Sequence, residues 1–306
     1  MTEPIDATAV FCQVRRMERI RTGRTLRKLA SLSPHRTVGL QAAARYGRRP
    51  RRAKLVFGGS MRVTPPDTPS MWIARYGYFE PEVMALMQGT LAPGSTFVDV
   101  GAHLGFFSLW AACLCGGSGH VYAIEPTPRT AHVLKANLVG ADAAVTTIEK
   151  AALDREGTVD FVDFGPRGAA FNGPAAAVGS GHRATRQTAE GTRLSVKCTT
   201  LDALLGNASR VDCIKIDAEG SEGAVLDGTV ATIQRHRPHL ILETGDFSQP
   251  GRTRAVLDRI LNLGDYVALQ ANDDFRVVPH QLLDVYPYGN VLLSPTERVT
   301  RETVES

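Results

Sequence analysis

The sequence predicts a doubly wound α/β fold preceded by a basic, mostly helical N-terminal extension. Three observations carry that reading: strand-like apolar runs alternate with helix-like runs between about residues 96 and 293, glycines follow the first run, and carboxylates stand at the ends of several others. Such alternation builds a mostly parallel sheet covered by helices on both faces. Ligands on such a sheet bind at the carboxyl ends of the strands, near the point where strand order reverses.

The extension comes first, over residues 1–55. Val10, Phe11, Val14 and Met17 recur at helical spacing among arginines, so residues 8–31 are expected as an amphipathic helix that Pro34 ends. A second short helix is expected from Val38 to Tyr46, and Arg48-Arg49-Pro50-Arg51-Arg52 as a linker. Pro65, Pro66 and Pro69 mark a further break, and the main domain is expected over residues 70–295 with a polar tail at 296–306. Its expected strands are Thr96–Val100, His120–Glu125, Val145–Glu149, Val211–Asp217 and His239–Glu243, with closing strands at Tyr266–Gln270, Phe275–Val278 and Asn290–Leu293. Helices are expected at Gly105–Cys115, Thr127–Leu138, Ser221–Arg235 and Arg252–Leu263. Residues 165–193, rich in Gly, Ala and Ser, break the rhythm and are expected as a mobile, lid-like insertion that shapes a pocket.

Composition narrows the class. A 306-residue chain that is 43% hydrophobic and 22% charged has enough apolar residues for a sizeable core. The longest apolar stretch, Leu104 to Gly117, is too short for a bilayer, and the N-terminus lacks an apolar signal core. A cytoplasmic protein with no transmembrane segment is expected. The five cysteines are odd in number and lack paired zinc spacing, which points to reduced, buried roles. Charge is uneven: 14 Lys or Arg face three acids up to Lys54, giving +11, so the rest of a chain of net charge +4 carries −7. Two readings follow. The front segment meets an anionic partner or surface, or its apolar stripe packs on the domain or on a second copy in a homo-oligomer.

The first strand, Phe97-Val98-Asp99-Val100, runs into Gly101-Ala102-His103-Leu104-Gly105. Gly101 suits a tight turn with close backbone approach to a cofactor, and Gly105 suits close packing of the helix that follows. The spacing is not the G-x-G-x-x-G of dinucleotide sites, and Asp99, two residues before the first glycine, suits a cofactor with a cationic amino group. Glu125 ends the second strand, where a carboxylate accepts the ribose hydroxyls of a nucleoside. Ala151, just past the third strand, and His103 in the glycine loop join the expected cofactor-binding residues. Ile214-Lys215-Ile216 runs straight into Asp217 and Glu219, and Leu240-Ile241-Leu242 into Glu243. Adjacent parallel strands lie about 4.8 Å apart, so Asp217 and Glu243 approach one another at the sheet's edge. Clustered acids there are costly unless they hold protons, cations or a cationic ligand.

Four segments resemble, in order, the FkbM-type methyltransferases: Val98 to Ser108, Ala123-Ile124-Glu125-Pro126, Thr200-Leu201-Asp202, and Ile214 to Glu222 with its K-I-D-A-E-G core. Tyr78 to Glu82, Leu91 to Gly94 and Leu240 to Glu243 fit as well. The resemblance implies a class I Rossmann-like methyltransferase with a mostly parallel seven-stranded sheet. It also implies S-adenosylmethionine as donor and a hydroxyl of a sugar, glycolipid or secondary metabolite as acceptor. It places the Tyr-Phe-Glu segment over the cofactor, so Glu80 is expected at the donor's methionine end. His103 departs from the asparagine usual in that loop.

Methyl transfer from a sulfonium needs in-line geometry and removal of the acceptor's proton. Glu219 is the first candidate base, followed by Asp217, which also joins the cofactor-binding set, and His103. Alternatively, Asp217 and Glu243 hold Mg²⁺, which lowers the pKa of the acceptor hydroxyl. Two further functions stay open: an RNA methyltransferase guided by the basic segment, and an NAD-dependent oxidoreductase. The first lacks aromatic residues interleaved with its arginines, and the second lacks the G-x-G-x-x-G loop. No nucleic-acid partner is favoured.

Overall fold

A computed structural model describes residues 9–18, 50–177, 191–246 and 250–299. The chain divides into two compact units, residues 1–81 and 82–306.

In the first unit, helix α1 over 9–18 buries Val10, Phe11 and Val14 on one face. Glu18 Oε1 accepts a hydrogen bond of 2.6 Å from the Tyr78 hydroxyl. The remainder of the expected 8–31 helix and the Val38–Tyr46 helix lie outside the described residues. The arginine-rich run expected as a linker is in part a strand: β1 (Arg51–Lys54) pairs antiparallel with β2 (Ser60–Val63). Alternation explains it, since Ala53 and Leu55 are buried while Arg52 and Lys54 point to water, and Gly58 and Gly59 turn the chain with φ of 93° and 69°. The proline-marked break likewise starts a helix, α2 (Thr68–Tyr76), with Pro69 in its first turn and Asp67 Oδ2 accepting from Ser70 N at 3.4 Å.

The second unit opens with α3 (Pro81–Gln88), then β3 (Thr96–Val100), α4 (Phe106–Cys115), β4 (His120–Ile124), α5 (Pro128–Leu138) and β5 (Ala144–Ile148). Next come β6 (Ala151–Ala152), β7 (Gly157–Asp163), the short α6 (Gly165–Gly168), β8 (Gly173–Pro174) and β9 (Thr192–Thr199). After α7 (Leu201–Leu205) follow β10 (Cys213–Ile216), α8 (Glu222–Asp227), α9 (Val230–His236) and β11 (His239–Thr244). The unit closes with α10 (Arg252–Asn262), β12 (Tyr266–Ala271), β13 (Val277–Pro279) and β14 (Gly289–Pro295).

The main sheet has the order β13-β12-β14-β11-β10-β3-β4-β5. Strands β11, β10, β3, β4 and β5 run parallel, while β14, β12 and β13 pair antiparallel. The described sheet therefore holds eight strands, not seven, because the short edge strand β13 joins it. From β3 the chain runs outward through β4 and β5, then returns to β10 on the other side. The order thus reverses between β3 and β10. One face carries Val98, Val100, Ile214, Ile216, Leu240 and Leu242 against α7, α8, α9 and α10. The opposite face carries Ala123 against Leu134 and Leu138 of α5.

Two departures have local causes. The single helix expected over Ser221–Arg235 is two, α8 and α9, parted at Gly228, whose carbonyl accepts from Asp202 N at 2.9 Å and where the close Leu153 carbonyl leaves no room for a Cβ. Asp202 Oδ1 and Oδ2 accept from Thr232 N at 2.7 Å and Ala231 N at 3.1 Å, which starts the second helix. Strands β6, β7, β8 and β9 build a second sheet, in the order β6-β9-β7-β8, that the sequence pattern does not announce. Of the expected lid over 165–193, residues 165–177 hold α6, a 3₁₀ turn and β8, Thr192 and Arg193 already belong to β9, and residues 178–190 lie outside the described residues.

Candidate active site

The reversal point puts the ends of β3 and β10 side by side. Asp217 N donates to Val100 O at 3.2 Å, while Gly101 N and Ala102 N both donate to Ile124 O on β4, at 3.1 and 2.9 Å. Gly101 has φ 79°, and a Cβ there would collide with the Asp217 carbonyl. The glycine is therefore required by the neighbouring strand's turn as well as by its own. Gly105 has φ 91°, and its Cβ would stand 2.7 Å from Leu134 Cδ1, so this glycine packs the start of α4 against α5.

Glu125 is buried just beyond β4. Its Oε2 accepts from His103 N at 3.2 Å and its Oε1 from Thr127 N at 2.9 Å. Burial raises its pKa to about 7, against the lowering effect of those amides and of Arg129. The His103 backbone thus ties the glycine loop to Glu125. Ala151 is buried in β6, in parallel register with Cys198.

Asp99 is fully buried beneath α4, where its Oδ2 accepts from Ser108 Oγ at 2.6 Å. Opposite it in register on β10 is Lys215, only 1% exposed. The Lys215 ammonium lies 2.7 Å from Asp217 Oδ2 and 5.0 Å from the centre of the Phe107 ring. Burial raises the pKa of Asp99, while the Lys215 charge and the Ser108 hydroxyl oppose that shift. The sequence reading missed Lys215 as a functional group. Its signal was a lysine inside an apolar strand, where a charge persists only when paired.

Past β10 the chain makes a tight loop. Glu219 has φ 50° and Gly220 φ 95°, and the amides of Ala218 and Gly220 donate to Glu222 Oε1 at 3.3 and 3.0 Å. Arg252 stands 3.5 Å from Glu222 Oε2 and donates to Gly220 O at 3.3 Å. Glu222 is thus the loop's anchor. The result is that Asp217, Glu219 and Glu243, each half-buried, offer oxygens that all lie within 4.8 Å of one another. On the far side of β11, β14 sets Asn290 opposite Glu243.

The described residues hold five non-glycine positions at positive φ, and Glu80, His103 and Glu219 are three of them. Non-glycine residues adopt this region of backbone space only rarely; the other two positions, Arg237 and Phe275, are not among the expected site residues. Glu80 itself, with φ 40°, belongs to the first unit.

A family model described as the methyltransferase FkbM domain matches residues 99–267, more than half of the chain. The chain belongs to the FkbM methyltransferase family. Among related proteins, the hexuronic acid methyltransferase AglP of Haloferax volcanii is 26% identical over 181 residues, 58% of this chain and 68% of that protein. The crystal structure of methyltransferase FkbM from Methylobacillus flagellatus gives a TM-score of 0.43 at 18% identity, covering 67% of this chain and 47% of the other. This FkbM-family chain therefore spans about half the length of that protein. Fibrillarin of Aeropyrum pernix, crystallised with natively bound S-adenosyl-L-methionine, gives 0.37 at 11% identity, covering 69% of this chain and 73% of its own. No helix among the described residues of the FkbM-family chain is long and apolar enough to cross a membrane.

Proposed function

We propose that this protein transfers the methyl group of S-adenosylmethionine to a hydroxyl oxygen of a sugar or glycoside. The observation that carries the reading is the convergence of Asp217, Glu219 and Glu243 within 4.8 Å beside the reversal point. Family membership supplies methyl transfer, and the hexuronic acid methyltransferase among the relatives favours a sugar. In this reading Glu125 accepts the donor's ribose hydroxyls, and Gly101 and His103 line its approach. Ala151 packs near its base, while Asp99 acts from beneath α4 through the Lys215–Asp217 pair. An anionic acceptor oxygen would be repelled by three carboxylates, which favours a neutral hydroxyl.

Transfer forms the oxygen–methyl bond as the sulfur–methyl bond breaks. The thioether leaves neutral, and the hydroxyl proton passes to a carboxylate. Asp217 is the weaker base because Lys215 already neutralises one of its oxygens at 2.7 Å. Glu219 therefore takes the proton, Asp217 orients the hydroxyl, and His103 is the remaining candidate. Glu219→Gln should cut turnover by about 10²–10⁴ with donor affinity intact and no response to EDTA.

A second reading has a specific support. Three carboxylates in one cluster suit a hard divalent cation such as Mg²⁺, held by Asp217, Glu219 and Glu243. Such an ion would lower the pKa of the acceptor hydroxyl. The Lys215 ammonium competes with it for Asp217, which favours the metal-free route. Turnover abolished by EDTA and restored by Mg²⁺ would reverse that preference. Incubation with labelled donor and a panel of sugars, glycolipids, macrolides and RNA tests the acceptor class. Label on RNA alone would replace the sugar reading.

A further inference from the structure

Resting on that reading of the reaction, we propose that residues 283–290 form the subsite for the acceptor's sugar ring. Tyr288 stacks on the ring's apolar C–H face, and the Asn290 amide donates to a ring hydroxyl. Four large hydrophobic residues are exposed among those described, and three of them, Leu283, Val285 and Tyr288, fall in this one stretch. Tyr288 is 50% exposed and Val285 56%. The stretch leads directly into β14, where Gly289 and Asn290 oppose Thr244 and Glu243. An exposed apolar ridge therefore begins next to the acid cluster.

The ridge is held rigidly from below. Tyr286, 3% exposed, donates its N–H to Asp246 Oδ2 at 2.9 Å and accepts from Asp246 N at 2.9 Å. Its hydroxyl accepts from Leu283 N at 3.1 Å and lies 3.1 Å from His280 Nε2, while His280 Nδ1 is 2.7 Å from Gln270 Oε1. Thr244 Oγ1 donates to Pro287 O at 3.1 Å. A fixed apolar edge that stays in water is the form of a recognition surface, not of a fraying loop.

Asn290 supplies the polar half. Its Nδ2 is buried and has no hydrogen-bond partner among the described residues. A buried donor left unmet is costly, and a ligand hydroxyl arriving beside Glu243 would meet it. An aromatic face next to a free donor and a set of carboxylate acceptors complements a pyranose, which presents C–H groups on one face and hydroxyls around its rim.

Other occupants fit less well. Three side chains fall far short of the about 800 Å² per partner that a stable dimer interface needs. Asp284, fully exposed within the ridge, opposes docking on an anionic membrane.

The test uses the full chain saturated with S-adenosylhomocysteine. Methyl β-D-glucopyranoside and methyl β-D-galactopyranoside are the probes, followed by saturation-transfer NMR. Wild type should transfer saturation to ring protons of at least one probe. Tyr288→Ala and Asn290→Ala should each weaken that binding about tenfold or more, the loss of roughly one stacking or hydrogen-bonding contact. Tyr288→Phe should bind nearly as wild type. Calorimetric affinity for S-adenosylhomocysteine should stay within about twofold throughout. Equal sugar binding by wild type and Tyr288→Ala overturns the subsite, as does no sugar binding by the loaded wild type. A dimer that Tyr288→Ala splits in sedimentation overturns it in favour of a self-interface. Loss of S-adenosylhomocysteine binding by the wild type itself would instead sink the donor assignment, and the two failures are read in separate measurements.

Discussion

Glu125 meets two backbone amides and an enclosing core, and the balance between them sets the pH at which its carboxyl ionises. Its pKa is raised from 4.5 to about 7, with burial outweighing the amides of Thr127 and His103. A carboxyl raised in this way keeps its proton between the two values while the unfolded chain has lost it. Its contribution to stability therefore falls as pH climbs from 4.5 towards 7. Ribose hydroxyls donate best to the ionised form, so a donor analogue that engages Glu125 must release its proton. Calorimetry with S-adenosylhomocysteine should show affinity rising as pH passes upward through about 7 and levelling above it. Glu125→Gln should be weaker at high pH and flat across the range. A flat profile in the wild type would remove Glu125 from the ribose site. The acid was legible from its place at the end of an apolar strand. Its two amide partners were not, because His103 reaches it only through the turn at Gly101. Lys215 and Asp99 show the same limit: both were visible as charges in apolar strands, but their pairing exists only in the β3–β10 register.

At the scale of elements, alternation of strand and helix was enough to locate the five parallel strands and the helices between them, because buried strands and amphipathic helices leave strong periodic patterns. Gly228 and Asp202 show where that stops. Nothing in Ser221–Arg235 forbids one helix; at the break the Gly228 carbonyl is taken by Asp202 N, and the same Asp202, 30 residues upstream of Thr232, caps the second helix. The second sheet was missed for a related reason: three of the seven β7 residues and four of the eight β9 residues are exposed, so little apolar pattern marks them. The family-like Thr200-Leu201-Asp202 segment now has a structural account. Thr200 Oγ1 accepts from Ala203 N at 3.0 Å to cap α7, while Asp202 caps α9. Asp202→Ala should lower unfolding free energy by about 1–2 kcal/mol, with Asp202→Asn recovering most of it. Urea titration gives the measurement, and an unchanged midpoint in Asp202→Ala would mean the cap contributes nothing.

For the whole molecule, charge separates along the chain as the sequence indicated. Residues 1–81 carry 16 Lys or Arg and five acids, a net +11, and residues 82–306 carry −7. The placement of the first boundary was not legible, since an arginine-rich run reads as linker until β2 is seen to pair with it. Removing residues 1–54 would strip β1 from its partner; ending the deletion at residue 49 keeps the hairpin. That deletion removes 11 basic and three acidic residues, changing the net charge from +4 to −4. We propose that this basic front segment attracts an anionic surface or acceptor, an attraction that salt screens within a Debye length of about 8–10 Å. Full-length protein should therefore co-sediment with phosphatidylglycerol vesicles at low salt and be released at high salt. The variant starting at residue 50 should stay in solution under both conditions and bind S-adenosylhomocysteine as before. Tyr78 would lose Glu18 as its hydrogen-bond partner, so a modest drop in melting temperature is expected alongside. Equal sedimentation of both proteins with the vesicles would show that these 49 residues do not recruit the surface, and dissociation of an oligomer on deletion would assign them to self-association instead.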